Sequence, residues 1–243
     1  MRHIKTLLTV IAGLAGMTVA SAAASLQVAP VRIDVPPAVS ASKLTLTNTG
    51  DMPINAQVRI FKWTQSGGQD KLTETRDVVA SPPIAELQPG MSNVIRIVRT
   101  SKATVGGEET YRILVDQIPP ARNKPGMGIS FVLRYSIPVF FNSRDERGAS
   151  LKWAVETKGK QAYLTIVNAG DAHVRLSSLS MQMPGGKNVN FGHGLTGYVL
   201  ANSTARFPLK GGLQGAKPGQ ILLISAEGND GPVQAKAEIR AAN

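Results

Sequence analysis

Apolar and polar residues alternate with a period of two along much of this chain, the signature of strands with one face buried. The longest such run places Ile129, Phe131, Leu133, Tyr135 and Ile137 on one side, with Ser130, Val132, Arg134 and Ser136 between them. It predicts a strand over 129–141. Upstream, Tyr111-Arg-Ile-Leu-Val-Asp-Gln-Ile-Pro-Pro120 predicts another, stopped by a proline pair that a sheet interior does not admit. Between them, 121–127 is rich in Gly, Pro and charge, which predicts a mobile loop. A long apolar strand beside such a loop fits strand addition to another protein, and it also fits an ordinary core hairpin.

Shorter alternating runs predict further strands at 26–33, 43–48, 55–63 and 94–100 in the first half. In the second half they fall at 151–156, 161–168, 174–183, 205–209, 220–227 and 234–240. Gly, Pro and Asn separate them, and helical periodicity is almost absent, so antiparallel sandwiches are expected. The chain also repeats itself. Leu44-Thr-Leu-Thr-Asn-Thr-Gly-Asp51 matches Leu164-Thr-Ile-Val-Asn-Ala-Gly-Asp171 at an offset of 120 residues. A weaker echo pairs Leu87-Gln-Pro-Gly with Leu200-Ala-Asn-Ser, each followed by a strand-like run. Repetition at this scale implies two sandwiches of one kind rather than a solenoid. The polar stretch 142–150 is the natural linker, giving domains at 25–142 and 143–243.

The first 24 residues form a secretory signal: Arg2, His3 and Lys5, an apolar run from Leu7 to Val19, then small residues with two small-x-small cleavage options. No later run is long and apolar enough to predict a transmembrane helix, so the mature chain is expected to be exported without membrane insertion. There is no cysteine, which excludes a small disulfide scaffold. Without Arg2 and Lys5 the chain keeps 25 basic residues against 16 acidic ones, a net charge of +9. The basic residues are scattered and aromatics are few, so a nucleic-acid surface is not expected; the field favours acidic partners.

Chemical motifs fail one by one. Gly192-His-Gly-Leu-Thr-Gly197 spells G-x-G-x-x-G, yet a strand and turn follow where a dinucleotide site needs a helix N-terminus. His173 and His193, the only histidines after the signal, have no cysteine or carboxylate cluster for a metal. No nucleophile is paired with a base, so neither catalysis nor a cofactor is expected. Trp63 and Trp153 lack the carboxylate pair of a carbohydrate-active enzyme and suit packing roles. A fimbrial subunit would be a single incomplete sandwich with a donor extension, whereas here two full strand sets follow directly.

With these parts in order, the chain resembles the PapD-like periplasmic pilus chaperones over essentially its whole mature length. The resemblance rests on Ile84-Ala-Glu-Leu-Gln-Pro-Gly90 leading to Val94-Ile-Arg-Ile97, on Tyr111-Arg and Gln117-Ile-Pro-Pro120, and on the run from Ile129 to Phe141. It implies two immunoglobulin-like domains in a boomerang, with pilus subunits and an outer-membrane usher as partners. Ile129, Phe131, Leu133, Tyr135 and Ile137 would enter the groove of a subunit lacking its last strand. In the best-known branch a lysine and an N-terminal arginine grip the subunit's terminal carboxylate. Arg32 fits the arginine, but the lysine position falls on Pro138. Gln117 and Asn142 replace the residues of the family's interdomain ion pair. These departures place the chain in the archaic or alternative branch, with its carboxylate anchor moved. If Ile118 pairs opposite Gly128, Arg112 faces Arg134, Ile113 faces Leu133 and Val115 faces Phe131. The two arginines would then either clamp the carboxylate or splay apart and pair with local acids such as Asp116; for the anchor, Arg112 is the first candidate, Arg134 the second and Arg32 the third.

Overall fold

The computed structural model describes residues 26–119, 132–144, 147–158, 161–213 and 215–241. In the first half the strands are β1 (Leu26–Ala29), β2 (Ile33–Val35), β3 (Ala41–Asn48), β4 (Ile54–Ser66), β5 (Gln69–Glu74), β6 (Val78–Ser81), β7 (Ile84–Leu87), β8 (Ser92–Arg99), β9 (Glu109–Ile118) and β10 (Arg134–Phe141). The second half holds β11 (Leu151–Lys158), β12 (Gln161–Asn168), β13 (Val174–Gln182), β14 (Asn188–Asn190), β15 (Leu195–Val199), β16 (Ser203–Pro208), β17 (Ile221–Glu227) and β18 (Pro232–Ala241). No helix occurs among the described residues. The expected all-β class with two sandwiches is what the chain adopts.

The first half packs two sheets, one ordered β1-β3-β8-β6 and one ordered β2-β10-β9-β4-β5 with β7 also on β4. Alternation sends Leu44, Leu46, Ile95 and Ile97 from the former against Val58, Ile113, Val115 and Val139 from the latter. The predicted strand at 26–33 is in fact two. β1 pairs with β3 in one sheet and β2 with β10 in the other, so the chain changes sheets at the bend around Pro30. The second half is one continuous sheet, β14-β13-β17-β18-β11-β12-β16 with β15 on β13, wrapped around its own core. A third, small cluster of Trp63, Phe140, Tyr198 and Leu200 joins the halves.

The repeat seen in the sequence is a repeated buried corner. Asn48 and Asn168 are both almost fully buried. The Asn48 amide donates to the carbonyls of Met52 at 2.8 Å and Leu87 at 3.0 Å, and its Oδ1 accepts from the Gly50 N–H. The Asn168 amide donates to Ala172 at 2.7 Å and Leu200 at 3.1 Å, and its Oδ1 accepts from Gly170 and Ser150. Each asparagine therefore ties the turn after its strand to the neighbouring chain at Leu87 or Leu200, the two leucines of the weaker echo. A buried side-chain amide that satisfies several main-chain groups is costly to replace, because each group left unpaired costs about 1–3 kcal/mol.

Candidate functional site

Within the described residues, β10 covers 134–141 of the strand predicted over 129–141. Ile129 and Phe131 lie outside the described residues, as does the loop 121–127. β10 pairs with β9 along its whole length, from Arg134 opposite Asp116 to Phe141 opposite Glu109. On its other side β2 covers only Val139 to Phe141. The edge at 134–138 therefore carries no strand among the described residues.

The direction of the backbone groups on that edge follows from two bonds. The Gln117 N–H donates to the Leu133 carbonyl at 3.0 Å, so odd-numbered residues of this run aim their backbone at β9. The Asn142 N–H donates to the Val35 carbonyl at 3.1 Å, so even-numbered residues aim theirs at the β2 side. Arg134 and Ser136 thus project N–H groups at the open edge. Pro138 shares their parity, and the N–H it lacks is one that β9 never uses.

Side chains follow the opposite alternation. Leu133 and Tyr135 are half-buried against the first core, and the Tyr135 hydroxyl donates to the Leu26 carbonyl at 2.5 Å. Ile137 is only 2% exposed and sits inside that core with Val139 and Phe141. This corrects the expectation that Ile137 enters a partner's groove: it belongs to this chain's own interior. On the other face Arg134 and Ser136 are exposed, while Pro138 and Phe140 are buried.

The predicted register is also corrected. Arg134 faces Asp116 rather than Arg112, and Arg112 faces Pro138. The shift is four residues, an even number, so every side chain keeps its face; Ile113 meets Ile137 and Val115 meets Tyr135. The expectation failed because the chain between the strands is longer than the turn assumed for it.

With the register moved, the three candidate arginines separate. Arg134 is ion-paired to Asp116, which also accepts from Arg59 Nη2 at 2.7 Å. Burial pushes the Asp116 carboxyl up, but the hydrogen bonds from Arg134 and Arg59 outweigh it and hold the group below the usual aspartate range. Arg32 is paired to Asp34, with Nε 2.7 Å from Oδ2 and Nη2 donating to Oδ1 at 2.8 Å. It borders a cleft of about 520 Å³ between the halves, shared with Glu108, Asn142, His173 and Asn229. Arg112 has no ion-pair partner among the described residues. Its guanidinium carbon lies 3.8 Å from the Trp63 ring centre and 5.3 Å from that of Tyr198. Among the described residues its side chain makes a long hydrogen bond, 3.5 Å, to the Ser136 carbonyl on the open edge. Burial lowers its pKa, offset in part by Tyr198 and Asp70.

Of the two readings the sequence left open for the arginines, pairing with the local acid Asp116 is the one Arg134 adopts; the joint between the halves was missed. Glu108 and His173, 65 residues apart, are bonded across that joint. Nothing local in the sequence marks such a pair. No cluster of metal-ligating side chains occurs among the described residues, and no helix there is long and apolar enough to cross a membrane.

Residues 25–144 match the family described as pili and flagellar-assembly chaperone, PapD N-terminal domain. Among solved structures, the chain is similar to one in the CsuC–CsuE chaperone–tip adhesion subunit pre-assembly complex from the archaic chaperone–usher Csu pili of Acinetobacter baumannii. Identity is 26% and the TM-score 0.69, over 90% of this chain and 100% of that one. The E. coli chaperone DraB is similar at 25% identity and a TM-score of 0.59, covering 89% of this chain and 97% of its own. A chain of the Salmonella enterica SafA pilin–SafB chaperone complex shares the fold at 16% identity and a TM-score of 0.59, over 87% and 95%. Among curated proteins, none matches this sequence.

Proposed function

The chain belongs to the PapD-like pilus chaperones, and from that premise we propose that it captures pilus subunits by lending them a strand and hands them to an outer-membrane usher. The single observation that carries this reading is the open edge of β10 at 134–138, flanked by the half-buried Leu133 and Tyr135. A subunit lacking a strand exposes unpaired backbone and an apolar groove, an aggregation hazard. An added strand supplies both missing parts, main-chain hydrogen bonds and apolar side chains. Leu133, with Ile129 and Phe131 before it, would fill the groove, each contributing roughly 1.5–3 kcal/mol when fully buried. Exchange for a subunit's own extension needs no nucleotide. The family and the fold are those of chaperones, which are not enzymes.

The carboxylate anchor in this reading is Arg112. Arg134 and Arg32 already hold carboxylates of their own chain, whereas the Arg112 fork lies beside the open edge without one. Pro138 in place of the lysine, and the likeness to the archaic Csu complex, support the archaic branch. Residues 1–24 act as a cleaved export signal, so the chaperone works in the periplasm, with domains at 25–142 and 143–243.

Periplasmic co-purification tests the reading. A chaperone traps a subunit one to one; a structural subunit would polymerise, and that outcome would refute the proposal. Truncating Arg112 to Ala should weaken capture strongly with little thermal destabilisation. In that variant, removing the subunit's terminal carboxylate should add little further loss. Fully additive losses would move the anchor to Arg32.

A further inference from the structure

The halves meet along one joint, the Trp63, Phe140, Tyr198 and Leu200 cluster, with polar fastenings at its two ends. One is the tip of the β4–β5 hairpin. There the Gln65 amide donates to the Tyr198 carbonyl at 2.8 Å, and Gln65 Oε1 accepts from the Leu200 N–H at 2.9 Å. Next to it, the Gly68 carbonyl accepts from the Arg206 N–H at 3.1 Å. A side chain at Gly68 would run into Arg206, its Cβ only 2.5 Å from that side chain, so the approach needs glycine.

The second fastening has His173 at its centre. Its imidazole is 5% exposed, and the Glu108 carboxylate beside it is 1% exposed. A carboxylate so deeply buried needs donors, and His173 supplies two: Nδ1 at 2.5 Å from Oε2, and its main-chain N–H at 3.2 Å from Oε1. The Asn229 amide donates to the His173 carbonyl at 3.0 Å and fixes the loop behind it. The imidazole plane lies flat on Phe140, centres 3.6 Å apart and planes 7° apart. Phe140 belongs to β10, and the open edge lies two to six residues before it on the same strand. One side chain of the second half therefore grips both the entrance to β9 and the end of β10.

We propose that His173 is a positioning residue: through Glu108 and Phe140 it fixes the angle at which the open edge of β10 is presented to the second sandwich. Polar fastenings at both ends of the joint fix an angle, whereas one end alone leaves the apolar cluster free to slide. Loss of His173 would keep the halves attached at the hairpin and through the Trp63, Phe140 and Tyr198 rings but release the end of the joint at Glu108, and Phe140 would lose the imidazole stacked on it. The importance of that angle rests on β10 being the docking edge; the angle itself can be measured without any partner.

The absence of cysteine makes the free chain suited to paired spin labels. One pair, Lys43→Cys with Lys236→Cys, spans the halves at exposed positions; a second, Lys43→Cys with Glu74→Cys, stays within the first half. His173→Ala should broaden the distance distribution of the spanning pair and leave the internal pair unchanged. Amide exchange along β10 should rise about tenfold, while exchange in β17 stays as it was. His173→Phe combined with Glu108→Gln keeps a ring on Phe140 without a buried charge and should restore a narrow distribution. Should His173→Ala fail to fold, His173→Gln, which keeps a donor but loses the stack, must show the same broadening. An unchanged spanning pair, or equal broadening of both pairs, overturns the proposal and leaves His173 an ordinary packing residue. Failure of subunit capture would instead strike at the docking reading, since none of these measurements involves a subunit.

Discussion

The two sandwiches share a corner and differ at their edges. Asn48 and Asn168 hold equivalent turns with equivalent bonds, so the repeated sequence encodes the interior scaffold. In the second half the outer strand β16 is covered by the hairpin tip of the first, through the bridge between Gly68 and Ala205. In the first half, among the described residues, β10 is uncovered before Val139, where its parallel partner β2 begins. An uncovered edge is a hazard that proteins ordinarily suppress. The difference teaches that the repeated sequence sets the buried scaffold, while the cover of each edge is set separately.

The largest effect should come from cutting β10 at the boundary between interior and edge. Ile137→Asp would bury a charge in the first core and should cost about 3–5 kcal/mol, enough to lose the folded protein from the periplasm. Leu133→Asp, four residues earlier, should leave the far-ultraviolet signal and thermal midpoint nearly intact while abolishing subunit co-purification. If both variants unfold, the open edge is merely part of the core and the contrast between the sandwiches disappears.

Next come the corners. Asn48→Ala and Asn168→Ala each strip buried carbonyls of their donors, and urea denaturation should show losses of about 2–4 kcal/mol for each. Asn168 should be the more costly, since its oxygen also holds the Ser150 N–H at the start of β11. A corner that tolerates alanine in one half only would show that the equivalence is geometric and not energetic.

A smaller effect concerns Asp116, behind the open edge. Its carboxyl is held below the usual range in the folded chain, so it stabilises fully above its unfolded value near pH 4, and that stabilisation is lost as pH falls through the folded value. The difference in thermal midpoint between the parent and Asp116→Asn should be constant from pH 7 to about 4 and shrink below that. A difference that instead grows on acidification would mean the arginine pairs do not act on it. Smallest of all, Arg206→Ala removes an exposed side chain from the covered edge of β16 and should cost under about 1 kcal/mol. New self-association of that variant, seen in sedimentation, would show that the second sandwich hides an edge as adhesive as the first.

Much of this architecture was legible in the sequence because alternation reports burial directly. β3, β8 and β9 bury close to every second residue, and the Asn-x-Gly-Asp pair disclosed the common turn. β5 went unseen because all six of its residues are exposed, leaving no apolar period to read. β6 and β7 are four residues each, on either side of Pro82 and Pro83, too short for a pattern. The faces of β10 were read correctly because any even shift preserves them, whereas the register depends on the length of the connection and was missed by four residues. The Glu108–His173 joint depends on how two cores meet, which no local period encodes.

Pro138 sets a ruler on the open edge. Before it, Arg134 and Ser136 offer backbone donors to an incoming strand; at it, the donor is absent; after it, β2 already occupies the place. A guest strand laid along this edge therefore meets a built-in full stop. Its reach toward the joint between the halves would be measured by the host's own covalent chemistry, whatever the guest's sequence.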